Sequence, residues 1–302
     1  MNALTTQILA LALMIGVGFY GRKREIIGEE MMGGITKLLV EIAVPLLIVT
    51  SFSMDDGNAL EGVLGKAFLY ALLVFATKPL LAKLLLKGME KGKGGVWQFS
   101  LVFSNCGFMG FPVAYSVYGN EGIIFASIFN MVYNIFVWSY GVALFSGERD
   151  VKGFAKVLRS PGIIASVLGI VLMLLGVRIP EVLLVSMKTI GNTTTPLSML
   201  LIGGLLADAN LRGAVRDRSV YFGSVLKLLV LPFLWYVVFL LLGDLSVMVR
   251  TYLLMIAMPA GAMTSILAEE YKTEKEYSAV VVSMSTLFSI ATVPLLLRFV
   301  LV

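Results

Sequence analysis

Ten stretches of nearly unbroken apolar sequence, each about the length that crosses a bilayer, leave this chain little to form except a bundle of membrane helices. They run approximately 4–20, 34–53, 63–87, 95–118 and 122–146, then 161–177, 181–207, 219–242, 247–269 and 276–301. Lipid offers backbone amides no partner, so each stretch must close its hydrogen bonds within itself. Of the 302 residues 58% are hydrophobic and 14% charged, with a mean hydropathy of +0.92, so no sizeable soluble domain remains. The expected fold class is an all-α membrane protein of ten transmembrane helices.

Composition also removes whole classes of chemistry. The chain has no histidine, which excludes His-ligated metal, Ser/His/Asp or Cys/His nucleophiles and histidine proton relays. Its single cysteine, Cys106, excludes an internal disulfide and a multi-cysteine metal site. No catalytic residue, resident metal or cofactor is expected. The net charge of +5 reads as topology and not as a nucleic-acid patch, because excess Lys and Arg mark the cytoplasmic loops of membrane proteins.

The loops after the odd-numbered spans hold nearly all the loop cations: Arg22, Lys23 and Arg24; Lys87, Lys91 and Lys93; Arg149, Lys152, Lys156 and Arg159; Arg212, Arg216 and Arg218; Lys272 and Lys275. Loops after the even spans hold little beyond Arg178, with Lys66 and Arg250 at the edges of the following spans. By the positive-inside rule both termini are expected outside. The first segment is not expected to be a signal peptide, because its basic cluster follows the apolar run.

The basic linker 147–160 separates a first five-helix half, 1–146, from a second, 161–302. Five spans per half reverse the polarity of the second half, so an inverted repeat is expected. Lys37, Glu41 and Pro45 in span two recur as Lys188, Asn192 and Pro196 in span seven at identical spacing. Spans three and eight carry Pro79 and Pro232, and spans four and nine carry Pro112 and Pro259. Paired interrupted helices in corresponding places of two halves point to a transporter's binding site.

Span four contains Ser104-Asn105-Cys106-Gly107-Phe108-Met109-Gly110-Phe111-Pro112, and two glycines and a proline so close together predict a broken helix. Span nine contains Met258-Pro259-Ala260-Gly261-Ala262-Met263-Thr264-Ser265. Helices broken and crossed there would turn half-helix N-termini, with their free N–H groups and positive dipole ends, toward an anion. Small residues in these places also serve close helix packing.

The run Asn105-x-Gly107-x-x-Gly110-x-Pro112, followed by Tyr118-Gly119-Asn120-Glu121-Gly122, resembles the fourth-span signature of the auxin efflux carrier family of membrane permeases. Pro259 followed by Ala268-Glu269-Glu270-Tyr271 is similar to that family's ninth span, and Pro45 with Leu46-Leu47 to its second. The likeness extends over essentially the whole chain. It implies an inverted five-plus-five fold shared with the bile-acid sodium symporters, with crossed discontinuous helices in a mobile transport domain beside a scaffold domain, both interleaved across the two halves. It further implies an elevator-type permease of the plasma membrane, a homodimer through the scaffold helices, and a small organic anion as substrate, since the family includes carriers for auxin and for dicarboxylates such as malate or malonate. The short linker Gly147 to Ser160 marks a compact, microbial-type member.

The candidate substrate-binding residues are Asn105, Gly107, Gly110, Asn130, Asn134, Thr264 and Ser265, with Pro112 and Pro259 as the crossover prolines. Asn130 and Asn134 share a helical face with Ser127 and serve either a polar site or interhelical hydrogen bonds. Glu41 lies one turn beyond Lys37, so the two either neutralise each other or Glu41 gates or couples transport by changing protonation. Lys78, Lys188 and Lys227 also fall inside apolar spans, where charge is expensive. No nucleotide-binding loop is present, so an ion or substrate gradient is expected to drive transport. Ser104, Asn105, Thr264 and Ser265 match sodium ligands in type without reproducing the symporters' ligand pattern, and Na+ coupling, H+ coupling and uniport stay open. The rival class is an integral-membrane lipid- or prenyl-modifying enzyme using Asp55-Asp56 as a metal pair. Cysteines placed at Asn58 and Lys91, in a background lacking Cys106, are expected to react with an impermeant thiol reagent from opposite sides of the membrane. Labelling from one side contradicts the orientation.

Overall fold

The computed structural model describes residues 3–53, 57–146, 159–208 and 217–298, and these are helical throughout apart from short connections. In chain order the helices are α1 (Ala3–Lys23), α2 (Glu29–Leu38), α3 (Val44–Ser51), α4 (Gly57–Leu85), α5 (Lys91–Val102), α6 (Phe111–Phe136) and α7 (Val142–Ser146). There follow α8 (Pro161–Leu174), α9 (Glu181–Asn192), α10 (Thr194–Asp208), α11 (Arg218–Val225), α12 (Leu231–Leu241), α13 (Val247–Ala257), α14 (Met263–Glu270) and α15 (Lys275–Leu296). Among the described residues there is no strand, only one isolated antiparallel bridge, between Ser104 and Ala260. The linker 147–158 and the acidic pair Asp55-Asp56 lie outside the described residues.

Helix occupies every apolar segment, but spans and helices do not correspond one to one. Among the described residues six continuous helical stretches are long and apolar enough to cross a membrane: Glu29–Ser51, Gly62–Leu85, Cys106–Ser146, Glu181–Asp208, Arg218–Leu241 and Lys275–Leu296. Two shorter apolar helices, α8 and α13, accompany them. The segments expected as spans four and five meet in the stretch Cys106–Ser146, which turns at Gly119, where φ is 61° and ψ −145°. Only glycine takes that backbone conformation without strain.

Wider π-helical turns at Leu39–Ala43, Cys106–Gly110 and Leu226–Val230 each end two residues before a proline, Pro45, Pro112 and Pro232. A proline ring clashes with the carbonyl one turn back and donates no hydrogen bond, and a π turn absorbs both defects without ending the helix.

The chain divides into two compact units that cut across the sequence halves: Met1–Ala71, Gly107–Val132 and Ala155–Ala207 form one, and Leu72–Cys106, Tyr133–Phe154 and Asp208–Val302 the other. In the first, α3 packs between α8 and α9. A methyl group on Gly191 of α9 would lie 2.9 Å from the Leu47 backbone nitrogen, so only glycine permits that approach. Helices α1 and α10 meet the same way, Gly18 against the Leu200 backbone and Gly203 against the Ile15 carbonyl. Large apolar side chains such as Leu13 and Val182 remain exposed, as lipid-facing residues do.

The second unit is built on aromatic packing. Phe75 stacks on Phe103, Tyr133 meets both edge-on, and Phe99 tilts against Phe103. At one end the loops that follow the third, seventh and ninth apolar segments come together. Lys93 pairs with Asp217 at 2.7 Å, Tyr277 receives the Trp97 indole N–H at 2.8 Å, and the Tyr277 and Ser219 hydroxyls lie 2.6 Å apart. Asp217 also caps α11 through the Ser219 amide, 2.9 Å away. The hydrogen bond from Lys93, then that from Ser219, holds the Asp217 carboxyl at about 2.

Candidate functional site: the crossing of two broken helices

Helix α5 ends at Val102 and the chain passes through extended backbone at Phe103 before helix resumes at Cys106. Helix α13 ends at Ala257, Met258 is extended, and helix resumes at Met263. The two interruptions pair. Ser104 bridges Ala260 in antiparallel sense, and the Asn105 amide donates to the Pro259 carbonyl at 2.8 Å. The Ala260 amide donates to Ser285 Oγ of α15 at 3.1 Å. A side chain on Gly261 would press on the Ser104 carbonyl at 3.2 Å, so the close approach depends on glycine.

An interrupted helix leaves its last carbonyls without partners and its C-terminal end partially negative. Here each end receives a lysine. Lys78, from α4, donates to the Val102 carbonyl at 2.6 Å and lies 5.2 Å from the centre of the Phe75 ring. Lys227, from the π turn before α12, donates to the Ser104 hydroxyl at 2.6 Å and to the Ile256 carbonyl at 3.4 Å. The Ser104 hydroxyl passes its own proton toward the Ile256 carbonyl at 3.3 Å. Lys78 is 1% and Lys227 0% exposed, and among the described residues neither has a carboxylate partner. Charge buried without a counter-charge is normally prohibitive. At this crossing helix-end carbonyls and the Ser104 hydroxyl accept the lysine N–H groups. The half-helices resume at Cys106 and Met263, where the Cys106, Thr264 and Ser265 backbone amides donate to the Ser104, Gly261 and Ala262 carbonyls, and no Asp, Glu or Arg occurs in 103–112 or 256–265.

The break predicted at Gly107 to Pro112 falls instead at Phe103–Asn105. The glycines sit in the π turn Cys106–Gly110, and Pro112 lies buried in the first turn of α6. Among the candidate site residues, Asn105, Asn134, Pro259, Thr264 and Ser265 belong to the second unit, whereas Gly107, Gly110, Pro112 and Asn130 belong to the first. Asn105, Asn134 and Ser265 are partly open, Gly107 is exposed and Gly110 buried. Thr264 is fully buried with its hydroxyl 3.5 Å from that of Ser100, so it faces protein. Ser127 turns its hydroxyl back to the Ile124 carbonyl at 2.8 Å.

Lys37 and Glu41 form no ion pair among the described residues, and both are exposed. Lys37 is in α2 and Glu41 in the π turn Leu39–Ala43, whose wider winding spoils the stacking that a regular helix gives residues four apart. Asn192, at the corresponding place in the second half, accepts from the Tyr115 hydroxyl at 3.0 Å. Sequence reasoning singled out Lys78 and Lys227 as charges inside apolar spans but assigned them no partner. Their acceptors are backbone carbonyls and a serine far away in sequence, which no local pattern announces.

The model of a family described as membrane transport protein matches residues 3–153 and 151–297. This chain belongs to that family. It is the family of the auxin efflux carriers, as the residues of spans two, four and nine suggest. An uncharacterized transporter of Methanocaldococcus jannaschii is 25% identical over 298 residues, spanning 95% of this chain and 96% of the relative. An uncharacterized transporter of Methanothermobacter thermautotrophicus is 22% identical over 298 residues, spanning 96% of each. The protein is thus a membrane protein of a transporter family.

If the two lysines close the helix ends, Lys78→Met or Lys227→Met leaves buried carbonyls without donors at a cost of about 1–3 kcal/mol each. Thermal unfolding of the detergent-solubilised protein should fall for both variants, and Lys87→Met on the surface should not change it. Unaltered unfolding in both buried variants contradicts the capping role.

Proposed function

We propose that this protein is a secondary transporter, not an enzyme, moving a small organic anion such as a carboxylate across the plasma membrane by elevator-type alternating access. One observation carries the reading: at the crossing of the broken helices a buried lysine donates to a carbonyl at each helix end, while no acidic residue occurs in either broken segment. Such a centre favours a carboxylate and disfavours a cation. In this reading the chain forms ten spans as an inverted five-plus-five repeat with both termini outside, and pairs with a second copy through its scaffold helices. Lys78 of the third span donates to the helix end in span four and Lys227 of the eighth to that in span nine, a parallel between the halves that supports the repeat, although the two lysines stand at different distances from Pro79 and Pro232.

The carboxylate is held by the amides of Asn105 and Asn134 and by the hydroxyl of Ser265, all in one compact unit. Ser104 is not offered to a sodium ion, because its hydroxyl already takes the Lys227 ammonium. Proton coupling or uniport is therefore the favoured energetics.

Losing one hydrogen bond to a charged group costs roughly 1.5–3 kcal/mol, or about ten- to over a hundredfold in affinity. Purified protein in liposomes should accumulate labelled malate, malonate or indole-acetate unchanged and without sodium. Asn105→Ala and Asn134→Ala should lose most binding while staying monodisperse. Chemically altered label points to an enzyme, and near-native affinity in both variants moves the site away from the crossing.

A further inference from the structure

The end of the second unit where the basic loops gather carries an open cavity of about 440 Å3 that transport of a small anion does not need. Lys87, Lys93 and Arg218 line it, opposed by a single acid, Glu90. Lys93 is already paired with Asp217, but among the described residues Lys87 and Arg218 have no hydrogen-bonded or ionic partner. Two cations are therefore held at one cavity with their charge unspent. The other wall is apolar: Leu86 and Met89 from the turn after α4, and Phe222, 51% exposed, from α11.

From this cavity two apolar strips continue along the helices that frame it. Leu80 and Leu84 stand exposed one turn apart on α4, and Phe222, Val225 and Leu229 stand exposed on one face of α11 and the π turn after it. A polar, cationic mouth opening onto exposed hydrocarbon has the profile of an amphiphile: a phosphate at the mouth and acyl chains on the strips. A soluble phosphate ester has no use for the strips and leaves most of the cavity to water. The loops concerned are also those whose Lys and Arg excess assigns them to the cytoplasmic face, where the bilayer surface is anionic.

We infer that this cavity binds the headgroup of an anionic phospholipid, with Lys87 and Arg218 on the phosphate and the apolar strips under its chains. Detergent-purified, delipidated protein is mixed with phosphatidylglycerol or phosphatidylcholine of matched chains, and bound lipid is counted by native mass spectrometry. Wild type should retain phosphatidylglycerol in preference, and Lys87→Gln with Arg218→Gln should weaken that retention by about fivefold for each charge removed. Lys91→Gln, at the start of α5 but outside the cavity, should leave it intact. Thermal unfolding without lipid is measured in parallel and should be the same for all variants, since both target side chains are exposed. Equal retention of the two lipids by wild type, or an undiminished preference in the double variant, overturns the site. Displacement of phosphatidylglycerol by inorganic phosphate at matched concentration assigns the cavity to a free phosphate compound and overturns the lipid.

Discussion

A helix interrupted in an apolar environment exposes carbonyl groups that lipid cannot satisfy, and the second unit is organised around solving that problem twice. The ends of α5 and α13 lie at one crossing, and each is closed by an ammonium carried in from another helix, Lys78 from α4 and Lys227 from the π turn before α12. Each lysine spends its charge on a helix end, so the expense of burying it and the expense of the orphaned carbonyl offset one another. The extended residues between the half-helices then pair with each other, Ser104 with Ala260, so their own backbone groups are met as well.

Electrostatics follow from that arrangement. Broken helices present equal numbers of positive beginnings and negative ends, and a crossing built only from them has no preferred sign. Here a lysine donates to each end, and neither lysine is accessible to a ligand. In the proposed function an anion meets the neutral amides of Asn105 and Asn134 and the Ser265 hydroxyl, while the lysines close the helix ends behind them. Ser104, a metal ligand by residue type, is already committed to Lys227.

Much of this was legible in the sequence, and the misses have physical causes. Apolar length located helix in every segment because hydrophobicity and backbone satisfaction act over about twenty residues and tolerate local error. The breaks in spans four and nine were legible from glycine and proline, yet the first was misplaced. The glycines near Pro112 permit a π turn, and the chain opens at Phe103–Asn105, whose residue types do not advertise an extended conformation. The pairing of Lys37 with Glu41 failed on the same kind of detail, since a π turn two residues before the pair closes is invisible to a spacing rule. Lys78 and Lys227 were conspicuous as charges, but their partners are set by tertiary structure alone. The compact units also differ from the sequence halves, because contact and not chain order defines them.

The account depends on two separate broken spans meeting at Ser104 and Ala260. Bridged antiparallel residues bring their Cα atoms within the reach of a disulfide. Ser104→Cys with Ala260→Cys, in a background lacking Cys106, is treated with a mild oxidant in native membranes, and linkage is read by mass spectrometry of the digested protein. A disulfide joining residues 104 and 260 in high yield is the predicted result; two thiols that stay free in the folded protein contradict the crossing.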